Sequence, residues 1–207
     1  MNSVRLHRRG AIVVALALAA AGSALAQTAT VGQPAPAFSA KDTAGKTVSL
    51  ADYIGKYVVI EWTNPDCPFV QKHYDSGNMP ATQKRATAKG AVWLSVNTDD
   101  HDAKSGAALQ SWLKTKTAAP TALVLDGDGK IGRAYGARTT PHLYIVDPQG
   151  KLVYAGAIDS KPTANKADIA SATNYVDQTL AEATAGKPIS QAQTRAYGCT
   201  VKYPSAG

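Results

Sequence analysis

The chain has no block of basic residues, no long apolar run, no internal repeat and almost no cysteine. Lysine and arginine number 22 against 15 acids in 207 residues, giving a formal charge of +7. They are scattered, so the electrostatic footprint of a nucleic acid binder is missing. The apolar run at 11–21 breaks at Gly22-Ser23 after eleven residues, which is short for a bilayer span. No repeat or low-complexity linker divides the sequence, so it reads as one domain with a proper core. The two cysteines, Cys67 and Cys199, lie 132 positions apart. Their spacing alone does not say whether they meet.

What is present begins with a leader. Arg5, Arg8 and Arg9 precede the apolar run, and Ala24-Leu25-Ala26 ends it as an A-x-A site. That is the layout of a secretory signal peptide over residues 1–26, with the mature chain starting near Gln27. Three arginines and no acids leave with it, so the charge falls from +7 to +4. The expected location is secreted or periplasmic, an oxidising setting in which the two cysteines are free to pair.

Along the mature chain, 31–56 reads as an N-terminal arm with a small hairpin. The nearly continuous apolar run at 57–62 is expected as a parallel strand buried on both faces. Helix is expected from Cys67, with a pause near Ser76-Gly77 and a restart from Pro80 to Lys89. Strands follow at 91–98 and 121–126, with helices at 102–117 and 129–137. Two further strands flank the turn 148–151 as a tight hairpin. One long helix is expected over 165–186, closed by Gly186 and Pro188. A tail over 187–207, without clear periodicity, carries Cys199. Strand–helix alternation followed by an antiparallel hairpin and a helix predicts an α/β sandwich with a mixed sheet.

Cys67 is followed by Pro68 and preceded by the polar loop 63–66. Proline suits the first helical position, which puts Cys67 at the N-cap. A sulfur there faces unpaired N–H groups and the positive end of the helix dipole, conditions that favour a reactive thiolate. A partly exposed Cys67 with a depressed pKa is expected; a buried inert cysteine is the alternative. Glu61, after three apolar strand residues, either lies buried with a raised pKa and exchanges protons with a nearby sulfur, or reaches solvent at the strand end. Thr140-Pro141 stands at the mouth of a strand, where proline is tolerated. His73, six residues after Cys67, reads as a surface residue, and His142 is better placed to approach the sulfur.

Together these residues resemble the thioredoxin-like superfamily, in particular its redoxin branch, the alkyl hydroperoxide reductase/thiol-specific antioxidant (AhpC/TSA)-like proteins. The resemblance runs through 31–62, through "NPDCPFVQKHY", through "AYGARTTPHLYIVDPQGKLVYAG" and through the tail "TRAYGCTVKY". It implies a three-layer sandwich, a mixed central sheet with helices on both faces, spanning 27–186, with an N-terminal hairpin arm and the extended tail. It also implies that Cys67 is the nucleophile, that Thr140-Pro141 is a cis-proline loop facing that sulfur, and that Glu61 is the buried acid. There are departures. The adjacent resolving cysteine is replaced, since the motif reads Cys67-Pro68-Phe69-Val70. The peroxiredoxin pattern fails too, with Ile60 and Asn64 in place of its proline and threonine and Pro141 in place of its arginine; Thr63 or Arg138 are the available substitutes.

The leading expectation is therefore an exported thiol-disulfide oxidoreductase or antioxidant protein with Cys67 as nucleophile and Cys199 as the only internal thiol able to resolve it. Its partners would be protein disulfides or small peroxides and an external thiol reductant, with no nucleic acid, no membrane span in the mature form and no cofactor. A peroxidase with an external reductant is one alternative. A Cu(I) module using Cys67, His142, Met79 and Cys199, which lack compact ligand spacing, is another. A structural Cys67–Cys199 disulfide is the last.

Overall fold

The computed structural model describes residues 28–99 and 106–205. The leader expected over 1–26 and the first turn of the helix expected from residue 102 lie outside them. A five-stranded sheet forms the middle layer, in the order β5-β4-β3-β7-β8: β3 (Val58–Trp62), β4 (Val92–Asn97), β5 (Ala122–Leu125), β7 (His142–Val146) and β8 (Leu152–Gly156). β3, β4 and β5 are parallel, and β7 and β8 join antiparallel to β3. Every residue of β3 and β4 is buried, as the nearly continuous apolar runs predict for strands covered on both faces.

The covering layers follow from strand alternation. Val58, Ile60 and Trp62 face a core built with α4 (Lys130–Tyr135) and the N-terminal arm, whose short strands β1 (Ser39–Lys41) and β2 (Thr47–Ser49) pair as a hairpin. Val59 faces the opposite core, which is covered by α1 (Pro68–Asp75), α2 (Asn78–Ala88), α3 (Gly106–Thr115) and α5 (Tyr175–Thr184). This is the thioredoxin-like sandwich expected from the sequence, with α2 starting two residues before Pro80.

The long helix expected over 165–186 is broken. A 3₁₀ helix runs Lys166–Ser171, and α5 begins only after Asn174. The break is tertiary in origin. Ala172 is extended, Asn174 bridges to Asp159, and the Tyr175 N–H donates to the Ile158 carbonyl, so the segment is drawn onto the end of β8. Asn174 then caps α5, its side-chain oxygen accepting from the Val176 and Asp177 N–H groups, while its amide donates to Thr82. Asn174→Ala is expected to cost about 1–2 kcal/mol in denaturant unfolding, the upper end of an N-cap loss.

The tail is bound to the body throughout. Ala155 exchanges backbone hydrogen bonds with Ala192 and Thr194, and Thr194 Oγ1 accepts from the Ala157 N–H. Further on, β9 (Cys199–Thr200) pairs antiparallel with β6 (Thr139–Thr140). The Val201 N–H donates to the Arg138 carbonyl, and the Tyr203 hydroxyl to that of Ala137.

Candidate functional site around the two cysteines

Cys67 is the N-cap of α1 and Pro68 opens the helix, as Cys-Pro after a polar loop dictates. The surroundings differ from expectation in two ways. Cys67 is only 2% exposed rather than partly open. Its sulfur makes no capping bond to the helix; instead the thiol donates to the Thr140 carbonyl at 3.0 Å. The cause of both is the tail. β9 pairs Cys199 opposite Thr140, so a second backbone strand covers the helix start. The Thr140-Pro141 peptide is cis, and its loop faces Cys67.

Cys199 stands within hydrogen-bonding and electrostatic reach of Cys67. Burial first, then hydrogen bonding with Cys67 and its charge, push the Cys199 thiol up to about 12, against a weaker pull from the Phe69 N–H in the first turn of α1. The helix N–H expected to serve Cys67 thus faces Cys199. Both cysteines are free thiols. Cys199 therefore holds its proton beside Cys67.

Glu61 is fully buried, on the same sheet face as Val59 and the α1 core. It accepts from Tyr74 at 2.9 Å, Trp93 at 2.9 Å, Ser95 at 3.0 Å and Gln83 at 3.4 Å. Burial raises its pKa, and these hydrogen bonds, led by Trp93 and Tyr74, oppose the rise. Cys67 is not among its partners. Of the two readings left open by the sequence, burial is the one found.

His73 is not a surface residue; it is completely buried. Its position on α1 points away from Cys67, as the spacing requires, but the tail folds over that side. Asn78 donates to Nδ1 at 2.8 Å, and Nε2 lies 3.1 Å from the Tyr197 hydroxyl. Burial lowers its pKa to about 4, outweighing the raising effect of Asp159, while Lys72 adds to the lowering. An unfolded His73 titrates near 6.5. The unfolded chain therefore binds a proton between these values that the folded chain refuses. The resulting stability is full above pH 6.5 and lost as the pH falls toward 4, about 3 kcal/mol in all. Thermal melts are expected to drop through this window, with a shallower slope in His73→Gln. His142, also lowered to about 4 by burial, contributes in the same direction.

His142 approaches Tyr144 rather than a sulfur: its Nδ1 is 3.1 Å from that hydroxyl, and the rings stack at 4.4 Å. Met79 lies fully buried in the core. Among the described residues no three His, Cys, Asp or Glu side chains gather as a metal site. The copper reading therefore has no assembled ligand set beyond the two sulfurs. Sequence reasoning missed Lys72 and Asp159, which surround His73 together with Tyr197, a tail residue the sequence offers as an anchor. Lys72 and Asp159 are 3.6 Å apart and buried. The apolar-to-polar stretch "VQKHY" on α1 was the available signal, since a lysine and a histidine on a helix entering the core need partners.

Known proteins with these features are similar over much of the chain. The model of the AhpC/TSA family matches residues 31–155, which include Cys67 and Pro141 but stop short of the tail. The thiol-disulfide oxidoreductase ResA of Bacillus subtilis is 28% identical over 122 residues, covering 59% of this chain and 64% of that protein, so less than two thirds of its length is spanned. An uncharacterised conserved protein from Geobacillus kaustophilus superposes with a TM-score of 0.73 at 23% identity, covering 86% of this chain and 94% of its own. The thioredoxin domain of a thiol-disulfide oxidoreductase from Bacteroides vulgatus superposes at 0.52 with 26% identity, over 62% of this chain and 89% of that one.

Proposed function

The chain belongs to the AhpC/TSA family, and we propose that within it the protein is a thiol-disulfide oxidoreductase with Cys67 as nucleophile and Cys199 as resolving thiol. The observation that carries this is the pairing of β6 with β9, which sets Cys199 opposite the very residue, Thr140, that receives the Cys67 thiol. The similarity to ResA and to the Bacteroides vulgatus domain, both named for thiol-disulfide oxidoreduction, supports the disulfide as substrate class. In the proposed cycle Cys67 attacks a substrate disulfide, one substrate sulfur leaves, and Cys199 displaces the other. An external thiol reductant then regenerates the pair.

Burial and the neighbouring Cys67 sulfur keep the proton on Cys199, and the first attack is assigned to Cys67, the N-cap of α1 beside the cis-proline loop. The Thr140 carbonyl orients that sulfur. Glu61 is retained as a proton-exchanging group acting through the buried network on the same sheet face, and a flattened pH–rate profile in Glu61→Gln is its test. We infer that residues 1–26 act as a leader that directs the protein to an oxidising compartment, and N-terminal sequencing of exported protein should begin near Gln27. Among the described residues no helix is long and apolar enough to cross a membrane.

The reading is tested with reduced protein and a disulfide substrate under an excess of external thiol. Cys199→Ser is expected to lose at least about tenfold in turnover and to accumulate a mixed disulfide on Cys67, because its resolution becomes intermolecular. Wild-type turnover without any Cys67–Cys199 disulfide, trapped and read by intact mass, would remove Cys199 from the cycle. Peroxide supplied in place of the disulfide separates this activity from a peroxidase.

A further inference from the structure

One buried cluster has no part in the exchange itself. Lys72, His73 and Asp159 are all at most 2% exposed, although burying charge is costly even when it is paired. Lys72 donates to the Lys161 carbonyl at 2.9 Å and lies 3.6 Å from Asp159 Oδ2, while His73 Nε2 is 3.8 Å from the same oxygen. The fourth member, Tyr197, comes from the tail. Its hydroxyl donates to Asp159 Oδ1 at 2.5 Å and faces His73 at 3.1 Å. Its ring packs edge-on against Phe69 at 5.8 Å, with the Lys72 ammonium 5.6 Å from its centre.

We propose that Asp159 and Tyr197 are positioning residues for the resolving thiol: their hydrogen bond latches the tail in the register that sets Cys199 over Cys67. This rests on the two-thiol reading above. Three consecutive tail residues carry the argument. In an extended segment, residues two apart point to the same side. Tyr197 and Cys199 do so, one against the Phe69 ring and the other toward the Phe69 N–H. Gly198, between them, has a φ of +141°, and a Cβ there would overlap the Thr140 carbonyl oxygen. Only glycine allows this approach. A slip by one residue would remove the Tyr197 bond, force a side chain into Thr140 and turn Cys199 away from Cys67. The cluster thus reaches the sulfurs through one side chain and two peptide units.

The step affected is the second exchange. The bond between Cys67 sulfur and the substrate sulfur breaks, and a bond between the Cys67 and Cys199 sulfurs forms. The substrate departs as a thiol, taking the proton that Cys199 gives up. The substrate disulfide supplies both oxidising equivalents. Loss of the latch uncovers Cys67, so the first attack is kept or hastened, and it lowers the effective concentration of Cys199 at the mixed disulfide.

The experiment mixes reduced full-length protein with oxidised glutathione, quenches in acid at intervals and reads intact mass. Wild type should pass to the intramolecular disulfide with little glutathionylated intermediate. In Tyr197→Phe, and separately in Asp159→Asn, the glutathionylated species should become dominant, the ratio of closure to attack falling at least about tenfold. A general loss of packing is read separately from a thermal melt of each variant, and the ratio counts for the latch only where the melt stays close to that of wild type. Tyr175 lines a pocket together with Asp159 and Tyr197 but makes no hydrogen bond to the tail, so Tyr175→Phe is the control and should match wild type. Closure as fast as wild type in both variants, or equal slowing of both steps, overturns the latch. Should wild type and Cys199→Ser give the same mixed disulfide, the two-thiol reading itself fails, and the latch with it.

Discussion

Cys67→Ser is expected to abolish disulfide turnover, by on the order of a thousandfold or more, while leaving the fold in place. The large effect follows from chemistry. A serine hydroxyl is far less nucleophilic than a thiolate at neutral pH, and Cys199, whose pKa burial raises with or without the neighbouring sulfur, is a poor replacement for the first attack. The small structural effect follows from geometry. Serine keeps a donor for the Thr140 carbonyl and an N-cap side chain for α1. The measurement is steady-state turnover beside a thermal melt of the same preparation. Activity retained with a melt like that of wild type would move the nucleophile to Cys199.

Glu61→Ala should destabilise the fold by about 3–5 kcal/mol, the largest single stability change expected from the site. Four buried donors, from Tyr74, Trp93, Ser95 and Gln83, lose their acceptor together, and a cavity opens in the central strand. Glu61→Gln keeps the volume and one carbonyl acceptor, so it should cost much less. It also removes a titration. Burial raises the folded pKa above 4.5, so this group favours the folded state at low pH and the contribution is lost as the pH rises through the folded value. Urea unfolding of the two variants separates acceptor from charge. A loss under about 1 kcal/mol in Glu61→Ala would mean that the four donors find other partners.

How far the sequence could be read depended on whether the cause was local. Cys67-Pro68 announced the start of α1 because proline constrains both its own φ and the residue before it. The buried strands were legible in nearly continuous apolar runs such as that at 57–62. The break before α5 was not legible, because its cause is a backbone pairing between Asp159 and Asn174, although Asn174 itself is a good N-cap type. His73 was misplaced for the same reason. Its spacing from Cys67 was read correctly, but nothing near it in sequence reveals that Tyr197, 124 positions later, packs over that side. Cys67 was expected to be more open because the pairing that covers it joins residues 139–140 to 199–200. The one local hint was Gly198 directly before Cys199, a glycine of the kind that marks close backbone approach.

The strand that covers the nucleophile is made long after the nucleophile itself. A polypeptide is synthesised from its N-terminus, and it is exported in the same order where export runs alongside synthesis. Cys67, α1 and the Thr140-Pro141 loop therefore exist before the partner thiol, which is 132 residues behind Cys67. Until then the nascent protein has a single sulfur at an uncovered helix start, open to any thiol reagent or folding catalyst it meets. Protection of that sulfur dates from the docking of the tail. A pulse of alkylating reagent during synthesis therefore works as a clock for the docking of the tail.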